Sequence, residues 1–407
     1  MKPVNHKLRV LHLARWYPNR TDPMPGLFIR RHAEATALYA DAAVVYAHGV
    51  APVAGKKVPV YEMDFTETNG VRTACVYYRL PRYKVPLLSQ AIGLLRFFRA
   101  QRMGITKVKP CNARFDVVHV HVLTRLGILG LFYRWFYGTP YVITEHWTRY
   151  LPVRNAFRGS WRKMLTRLVV KQAAVVTTVS VDLMQAMQRH GLRHPDYRVI
   201  DNVVDGAFFD VPLPGKAMRE KARREFVHVS CFTDVHKNIS GLLRVVKTLS
   251  EHRDDFHFTL VGEGEDLEKM KAYARELQIP EKVLTFTGLL EGRALAETMA
   301  QADALVIFSH YENMPVVINE SFVLGVPVFS TRVGGIAEKV DNDHGRLVAR
   351  GDEAALTALV SDFLDGKITC DREKIRRQAR EVYSARAVGK KLLEIYQDAV
   401  MRSHPVR

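Results

Sequence analysis

The sequence predicts an α/β protein made of two successive Rossmann-like domains, on three observations. Short apolar runs alternate with helical patterns along the chain, the signature of parallel sheets with crossover helices. The alternation is interrupted once, by a stretch holding Pro212, Pro214 and Gly215, and then restarts. The length of 407 residues is long for one domain and comfortable for two.

In chain order, Leu8–Leu13 reads as a strand, Phe28–Tyr39 as a helix and Ala42–Ala47 as a strand. Val71–Arg79 is β-rich. Val117–Val122 and Tyr141–Thr144 are strands flanking a helical Leu126–Tyr137. Ala174–Ser180 is a strand, Val181–His190 a helix and Val199–Asn202 a short closing strand. The break is expected in Asp205–Lys221. The second series runs Phe226–Cys231 (strand), Ser240–Glu251 (helix), Phe256–Val261 (strand), Glu265–Leu277 (helix) and Val283–Phe286 (strand). It continues with Arg293–Ala300 (helix), Ala304–Phe308 (strand), Val316–Leu324 (helix) and Val326–Ser330 (strand), and Ala385–Arg402 is helical. The expected domains are 1–204, 205–384, and a C-terminal helix, 385–407, packing back on the first domain. A cleft between two such domains is a preferred place for ligands.

Composition excludes several classes. With 47% hydrophobic and 25% charged residues the chain can bury a sizeable core. No apolar run is long enough to span a bilayer: Leu126–Tyr133 is stopped by Arg134, and Ala173–Val181 is short. The polar start Met1–Lys7 does not read as a secretion signal, so a cytoplasmic location is expected. Cys75, Cys111, Cys231 and Cys370 are too scattered for a zinc ribbon or a disulfide framework. The net charge of +18 is unevenly placed. Residues 1–195 carry +21 and the remainder −3. Such a field points to an anionic partner of the first half: nucleic acid, a phosphate-bearing substrate or an anionic membrane surface. Within Arg79–Arg102, Leu87, Leu88, Ile92, Leu95 and Phe98 can share a helical face flanked by Arg96, Arg99 and Arg102, a pattern that suits an anionic membrane as well as a core helix with a basic rim.

The sharpest chemistry lies in Ser309–Glu320, which follows a strand and opens a helix. Pro315 suits the first helical position, where its missing N–H costs nothing. That puts Glu312 in the loop and Glu320 more than one turn inside the helix, with the Val316 and Val317 amides free for an anion. One turn then offers a carboxylate for hydroxyls, amides for phosphate and a second carboxylate for a ribose.

The order Glu312-Asn313-Met314-Pro315, Glu320, Gly325-Val326-Pro327-Val328 and Thr331-Arg332-Val333-Gly334-Gly335-Ile336-Ala337-Glu338 resembles the donor signature of family-4 retaining glycosyltransferases of GT-B fold, the glycogen-synthase-like and phosphatidylinositol-mannosyltransferase-like group. Other segments match in order: His119-Val120-His121 after Asp116, Thr144-Glu145-His146, Asn202-Val203-Val204-Asp205, Lys237, and Val261-Gly262-Glu263-Gly264. The resemblance implies two Rossmann-like domains facing across a cleft and transfer of a hexosyl or N-acetylhexosaminyl group from a nucleoside diphosphate sugar. It implies Glu312, with the Asn313 and Met314 amides, on donor-sugar hydroxyls; Glu320 on the nucleotide ribose; Lys237 on the diphosphate, where charge develops; and Gly26 in a loop near the same phosphates. His121 matches the active-site histidine, and His146 is a further candidate. No cofactor or metal is implied; Asp341-Asn342-Asp343 is too sparse a carboxylate set to argue a magnesium site. The pattern departs from the family after strand Phe226–Cys231, where the usual arginine is missing: either Lys237 acts with another base, such as His236 or Arg15, or the diphosphate is held differently. The expected acceptor is a lipid-linked or cell-envelope glycan at the inner membrane face, as in polysaccharide biosynthesis. Nucleotide-sugar epimerisation is the alternative. Nucleic-acid binding is a more distant one, as no aromatic stripe or zinc finger supports it.

Overall fold

The computed structural model describes residues 7–52, 58–110, 113–123, 125–152, 154, 156–213 and 223–403. Cys111, the polar start up to His6 and the Pro214–Lys221 part of the interdomain break lie outside the described residues. The chain forms two compact units. The first comprises residues up to Val179, Met184–Val203 and the segment from Ala385; the second comprises Ser180–Leu183 and Val204–Ser384.

The first unit holds an eight-stranded sheet: β1 (Arg9–Ala14), β2 (Asp41–Val50), β3 (Tyr61–Thr68), β4 (Val71–Arg79), β5 (Val117–His121), β6 (Tyr141–Glu145), β7 (Val175–Thr178) and β8 (Tyr197–Val199). Its order is β3-β4-β2-β1-β5-β6-β7-β8, parallel except where β3 runs antiparallel to β4. Strand β3 is absent from the expected elements. Asn69 and Gly70, both left-handed, make the two-residue turn that joins it to β4. The closing strand lies at Tyr197–Val199 and not at Val199–Asn202: Asp201 and Asn202 fall outside the ladder, and the Asp201 carbonyl bonds the His32 ring instead. The basic segment becomes a helix, Pro86–Val108, on which Leu87, Leu88 and Leu95 are exposed while Phe97 and Ala100 are buried.

Strand residues Val10, Val117, Val142 and Val175 pack against Val388, Leu392, Ile395, Tyr396 and Ala399 of the helix Ala385–Ser403. The helix Ala385–Ser403 thus completes the core of the first unit. Each fully buried aliphatic or aromatic side chain stabilises by about 1.5–3 kcal/mol, so the helix contributes on the order of 10 kcal/mol.

The second unit holds a wholly parallel six-stranded sheet, ordered β11-β10-β9-β12-β13-β14. The strands are β9 (Arg224–Val229), β10 (Phe256–Val261), β11 (Leu284–Gly288), β12 (Ala304–Ile307), β13 (Val328–Thr331) and β14 (Gly345–Val348). Both faces are covered, which explains their near-continuous apolar runs. Phe226, Phe258, Val306 and Phe329 pack on one side with Leu242, Val246 and Leu356. Val227, Leu305, Ile307 and Val328 pack on the other with Met299, Phe322 and Ile375.

Candidate functional site

Both sheets reverse their strand order once, between β1 and β5 in the first unit and between β9 and β12 in the second. Loops leaving the carboxyl ends of such neighbouring strands diverge and open a crevice, the usual ligand position in doubly wound sheets. The candidate residues gather at these two places.

In the second unit, β9 leads into the short helix Asp234–Lys237, and β12 leads into the loop from Ser309 to Pro315. The His310 and Tyr311 amides both donate to the His236 carbonyl, at 2.9 and 3.3 Å. This stitch brings Lys237 Nζ to 2.6 Å from Glu312 Oε1. Ser309 Oγ donates to the same carboxylate oxygen at 2.8 Å. Glu312 is buried, and the lysine side chain is largely so. Behind the loop, Gly334 sits at a φ of +52°, where an added Cβ would lie 2.1 Å from the Glu312 carbonyl oxygen. The next amide, of Gly335, donates to the Asn313 carbonyl at 2.8 Å. The paired glycines therefore let the chain after β13 support the Glu312 turn from beneath.

Pro315 is not the first helical residue. Its ψ of 127° is extended, it occupies the N-cap, and the helix is Val316–Val323. Proline still fits, since its carbonyl accepts from the Ile318 amide at 3.2 Å. Val316 and Val317 thus open the helix, where amides lack intrahelical acceptors. Glu320 is buried one turn further on, Met314 is buried, and Asn313 is partly exposed. Asp341 and Asp343 are engaged elsewhere, with His344 at 2.6 Å and Lys374 at 2.7 Å.

In the first unit, β1 and β5 run in register, His12 beside His119 and Ala14 beside His121. Five histidines, His12, His32, His119, His121 and His146, are buried together. His12 Nδ1 lies 3.0 Å from His121 Nε2, and His121 Nδ1 lies 3.5 Å from His146 Nε2. His119 is held by the Tyr396 hydroxyl at 2.8 Å and Thr144 Oγ1 at 2.6 Å, a structural role in the core. Burial drives every one of these imidazoles towards the neutral form: His12 to about 3 and His32 to about 4, with His119, His121 and His146 well below the ordinary value. Glu145 accepts from the amides of Leu123, His146 and Trp147 at 2.8–3.0 Å. Burial outweighs these bonds and pushes its carboxyl up to about 7. Gly26, at a φ of +76°, caps the helix Leu27–Ala37, and an added Cβ would lie 2.3 Å from the Trp16 carbonyl oxygen. Only glycine lets this loop lie on the segment leaving β1.

The second unit therefore joins Lys237 to Glu312 and sets Asn313, Met314, Val316, Val317 and Glu320 along the same turn and helix. The first joins His121 to His146. Sequence reasoning missed Ser309, His12, His32 and the cap role of Glu145. A polar His12 inside the apolar run Leu8–Leu13 was the available signal for one of them.

Two doubly wound α/β units of this kind are the architecture of the GT-B fold. Residues 216–382 match the family Glycosyl transferases group 1, and residues 31–208 match Glycosyltransferase Family 4. The chain belongs to the group 1 glycosyltransferases of GT-B fold. It is 28% identical over 305 residues to MMP alpha-(1→4)-mannosyltransferase of Mycolicibacterium hassiacum, covering 71% of this chain and 72% of that protein. It is 26% identical to the lipopolysaccharide 1,6-galactosyltransferase of Escherichia coli, covering 51% of this chain and 57% of that one. Among solved structures, sucrose-phosphate synthase from Thermosynechococcus elongatus superposes with a TM-score of 0.71 at 17% identity, covering 96% and 98% of the two chains. Anabaena HepE in complex with UDP gives 0.69 at 16% identity, covering 96% and 100%. Among the described residues, no helix is long and apolar enough to cross a membrane.

Proposed function

We propose that the protein transfers a hexosyl or N-acetylhexosaminyl group from a nucleoside diphosphate sugar to a glycan or lipid-linked acceptor, with retention at the anomeric carbon. The observation that carries this reading is the Lys237–Glu312 pair at the switch point of the unit that matches the group 1 family.

In this reading Glu312 and the Asn313 and Met314 amides hold the donor sugar, Glu320 holds the ribose, and the Val316 and Val317 amides face phosphate. Lys237 turns from Glu312 to the diphosphate as the glycosidic bond breaks; Ser309 remains on the carboxylate, so Glu312 is not left without a partner. The anomeric carbon loses its bond to the phosphate oxygen and gains one to the acceptor oxygen. The acceptor proton passes to the departing phosphate, and a nucleoside diphosphate is released. Preorganised cationic groups aimed at a leaving phosphate supply much of such catalysis. In the first unit, His121 and His146 are the residues proposed to serve the sugar, and Gly26 the phosphates. The proposed setting is envelope glycan synthesis at the inner membrane face, in keeping with the lipopolysaccharide transferase among its relatives.

The test is thermal stabilisation by UDP-, GDP- and ADP-sugars, followed by product analysis, because a ligand bound to the native state raises apparent stability. An acceptor-linked product with the donor's anomeric configuration is expected, and EDTA should leave the rate unchanged. A changed free sugar formed without acceptor would mean epimerisation and overturn the reading.

A further inference from the structure

The first unit contains an open pocket of about 740 Å³, in the size range of small-molecule sites. It lies where β1, β2, β4, β5 and β6 end, lined by Arg15 and Trp16 after β1, Leu123 after β5, and Trp147 and Arg149 after β6. The helices Pro86–Val108 and Ser160–Gln172 supply apolar walls, including Leu94, Phe97, Leu165 and Val169.

Its charge is one-sided. Arg15, Arg125, Arg149 and Arg162 line it, and among the described residues no Asp or Glu does. Glu145 is the acid close to Arg149, and its oxygens are already taken by three backbone amides. Arg149 lies flat on Trp147, with its guanidinium carbon 3.4 Å from the ring centroid, and its Nε is buried without a hydrogen-bond partner. Burial, and after it the charges of Arg162 and Arg15, depress the Arg149 pKa, so these guanidinium groups feel one another. Trp16 meets Trp147 edge-on at 5.4 Å. A buried donor without an acceptor and several like charges in one pocket are both unfavourable until an anion arrives.

We propose that this pocket is the acceptor site and that its acceptor carries a phosphate, gripped by Arg149 with Arg15, Arg125 and Arg162, beside a ring or chain packed on Trp147 and Trp16. Guanidinium forks fit phosphate oxygens in pairs, and a multiply charged phosphate answers several arginines where one carboxylate would not. The proposal rests on the glycosyltransferase reading only for the word acceptor; the phosphate site stands on the pocket itself. A phosphorylated soluble sugar and a lipid phosphate share this chemistry.

The experiment is a binding titration of the purified full chain followed by tryptophan fluorescence, since Trp16, Trp147 and Trp161 line the pocket. The probes are glucose 1-phosphate and farnesyl phosphate, with glucose and farnesol as uncharged controls. Binding of either phosphate probe, weakened by salt and absent for its control, is expected. Response to glucose 1-phosphate alone marks a soluble acceptor, and response to farnesyl phosphate alone a lipid-linked one. R149A should weaken binding roughly tenfold or more. Because Arg149 also packs on Trp147, the exposed pair R15A/R162A provides a second loss that folding cannot explain. R149K, which keeps charge without the fork, should recover only part. Equal binding of the uncharged controls, no binding of either phosphate probe, or unchanged binding in the arginine variants would overturn the proposal. Stabilisation by nucleotide sugars is measured in parallel. If it is absent while the phosphate probes bind, the donor reading fails and the pocket stands; the reverse result sinks the pocket alone.

Discussion

The two units use the same switch-point geometry and fill it with opposite chemistry. At β9 and β12 the second unit places a lysine against a glutamate, two full charges 2.6 Å apart. At β1 and β5 the first unit places neutral imidazoles, buried together beneath the strand ends. The architecture chooses where chemistry happens, and the residues at strand ends choose which. A charged pair awaits a charged ligand with which to exchange partners, whereas a neutral imidazole cluster can lie beside an uncharged sugar without competing for phosphate.

The largest effect expected to separate the units is removal of residues 385–407. The first unit loses Val388, Leu392, Ile395 and Tyr396 from its core, about as much as the whole stability margin of a domain. All four tryptophans, Trp16, Trp135, Trp147 and Trp161, belong to the first unit. Tryptophan fluorescence of the truncated chain should therefore be that of an unfolded protein, while circular dichroism retains the helices of the second unit. A native tryptophan spectrum would show that the helix is dispensable.

Next, Lys237→Ala and Glu312→Ala should each lower transfer by about a hundredfold to a thousandfold, the scale of losing one group that stabilises transition-state charge. Each also removes the countercharge of its partner, which Ser309 offsets only for Glu312, at a cost of about 3 kcal/mol to the second unit. The double variant K237M/E312Q should be more stable than either single one, as read by urea denaturation. A K237A/E312A variant whose loss equals the sum of the two single losses would mean that the pair is not coupled.

A third contrast is in acid. In the unfolded chain histidines take protons near pH 6.5, but the folded first unit keeps His12 and His32 neutral down to about 3 and 4, with His119, His121 and His146 likewise shifted down. The unfolded state then binds more protons, so stability falls as pH drops below 6.5, by about 1.4 kcal/mol per pH unit for each such imidazole. The second unit has one comparable residue, His228, held at about 4 by burial while it bonds the Val306 carbonyl. Tryptophan fluorescence should report unfolding of the first unit at a higher pH than far-ultraviolet dichroism reports for the rest. Coincident transitions would remove the contrast.

The smallest effect is expected from Asp343→Asn. Its pair with Lys374 is largely solvent-exposed, so the unfolding free energy should change by less than about 0.5 kcal/mol, against the large loss at Lys237. Activity should be unchanged with or without added magnesium.

How far the sequence carried these conclusions depended on range. Alternating apolar runs located most strands, because burial on both faces leaves little freedom in residue type. The exposed strand β3 was missed, although Tyr61, Met63 and Phe65 alternate with Glu62, Asp64 and Thr66 and Asn69-Gly70 marks a hairpin turn. The strand Gly345–Val348 is short and the helix Arg372–Tyr383 strongly charged, and neither was read; the helix Glu353–Leu364 was missed as well. At the candidate site, motif order picked out Lys237 and Glu312 separately. Their contact spans 75 residues and depends on β9 and β12 becoming neighbours, which no local pattern encodes. The histidine cluster is harder still, since its members come from β1, β5, the end of β6 and the helix Leu27–Ala37.

The return of the helix Ala385–Ser403 to the first unit makes the second unit an insertion within the first. Synthesis on the ribosome proceeds from the amino end, so the first unit begins to emerge earliest yet cannot finish. Its sheet waits without the cover of the helix Ala385–Ser403, and His119 waits for the Tyr396 hydroxyl, until that helix emerges. The domain made second has every residue it needs before the domain made first does, and the interval between them is when a chaperone would have most to protect.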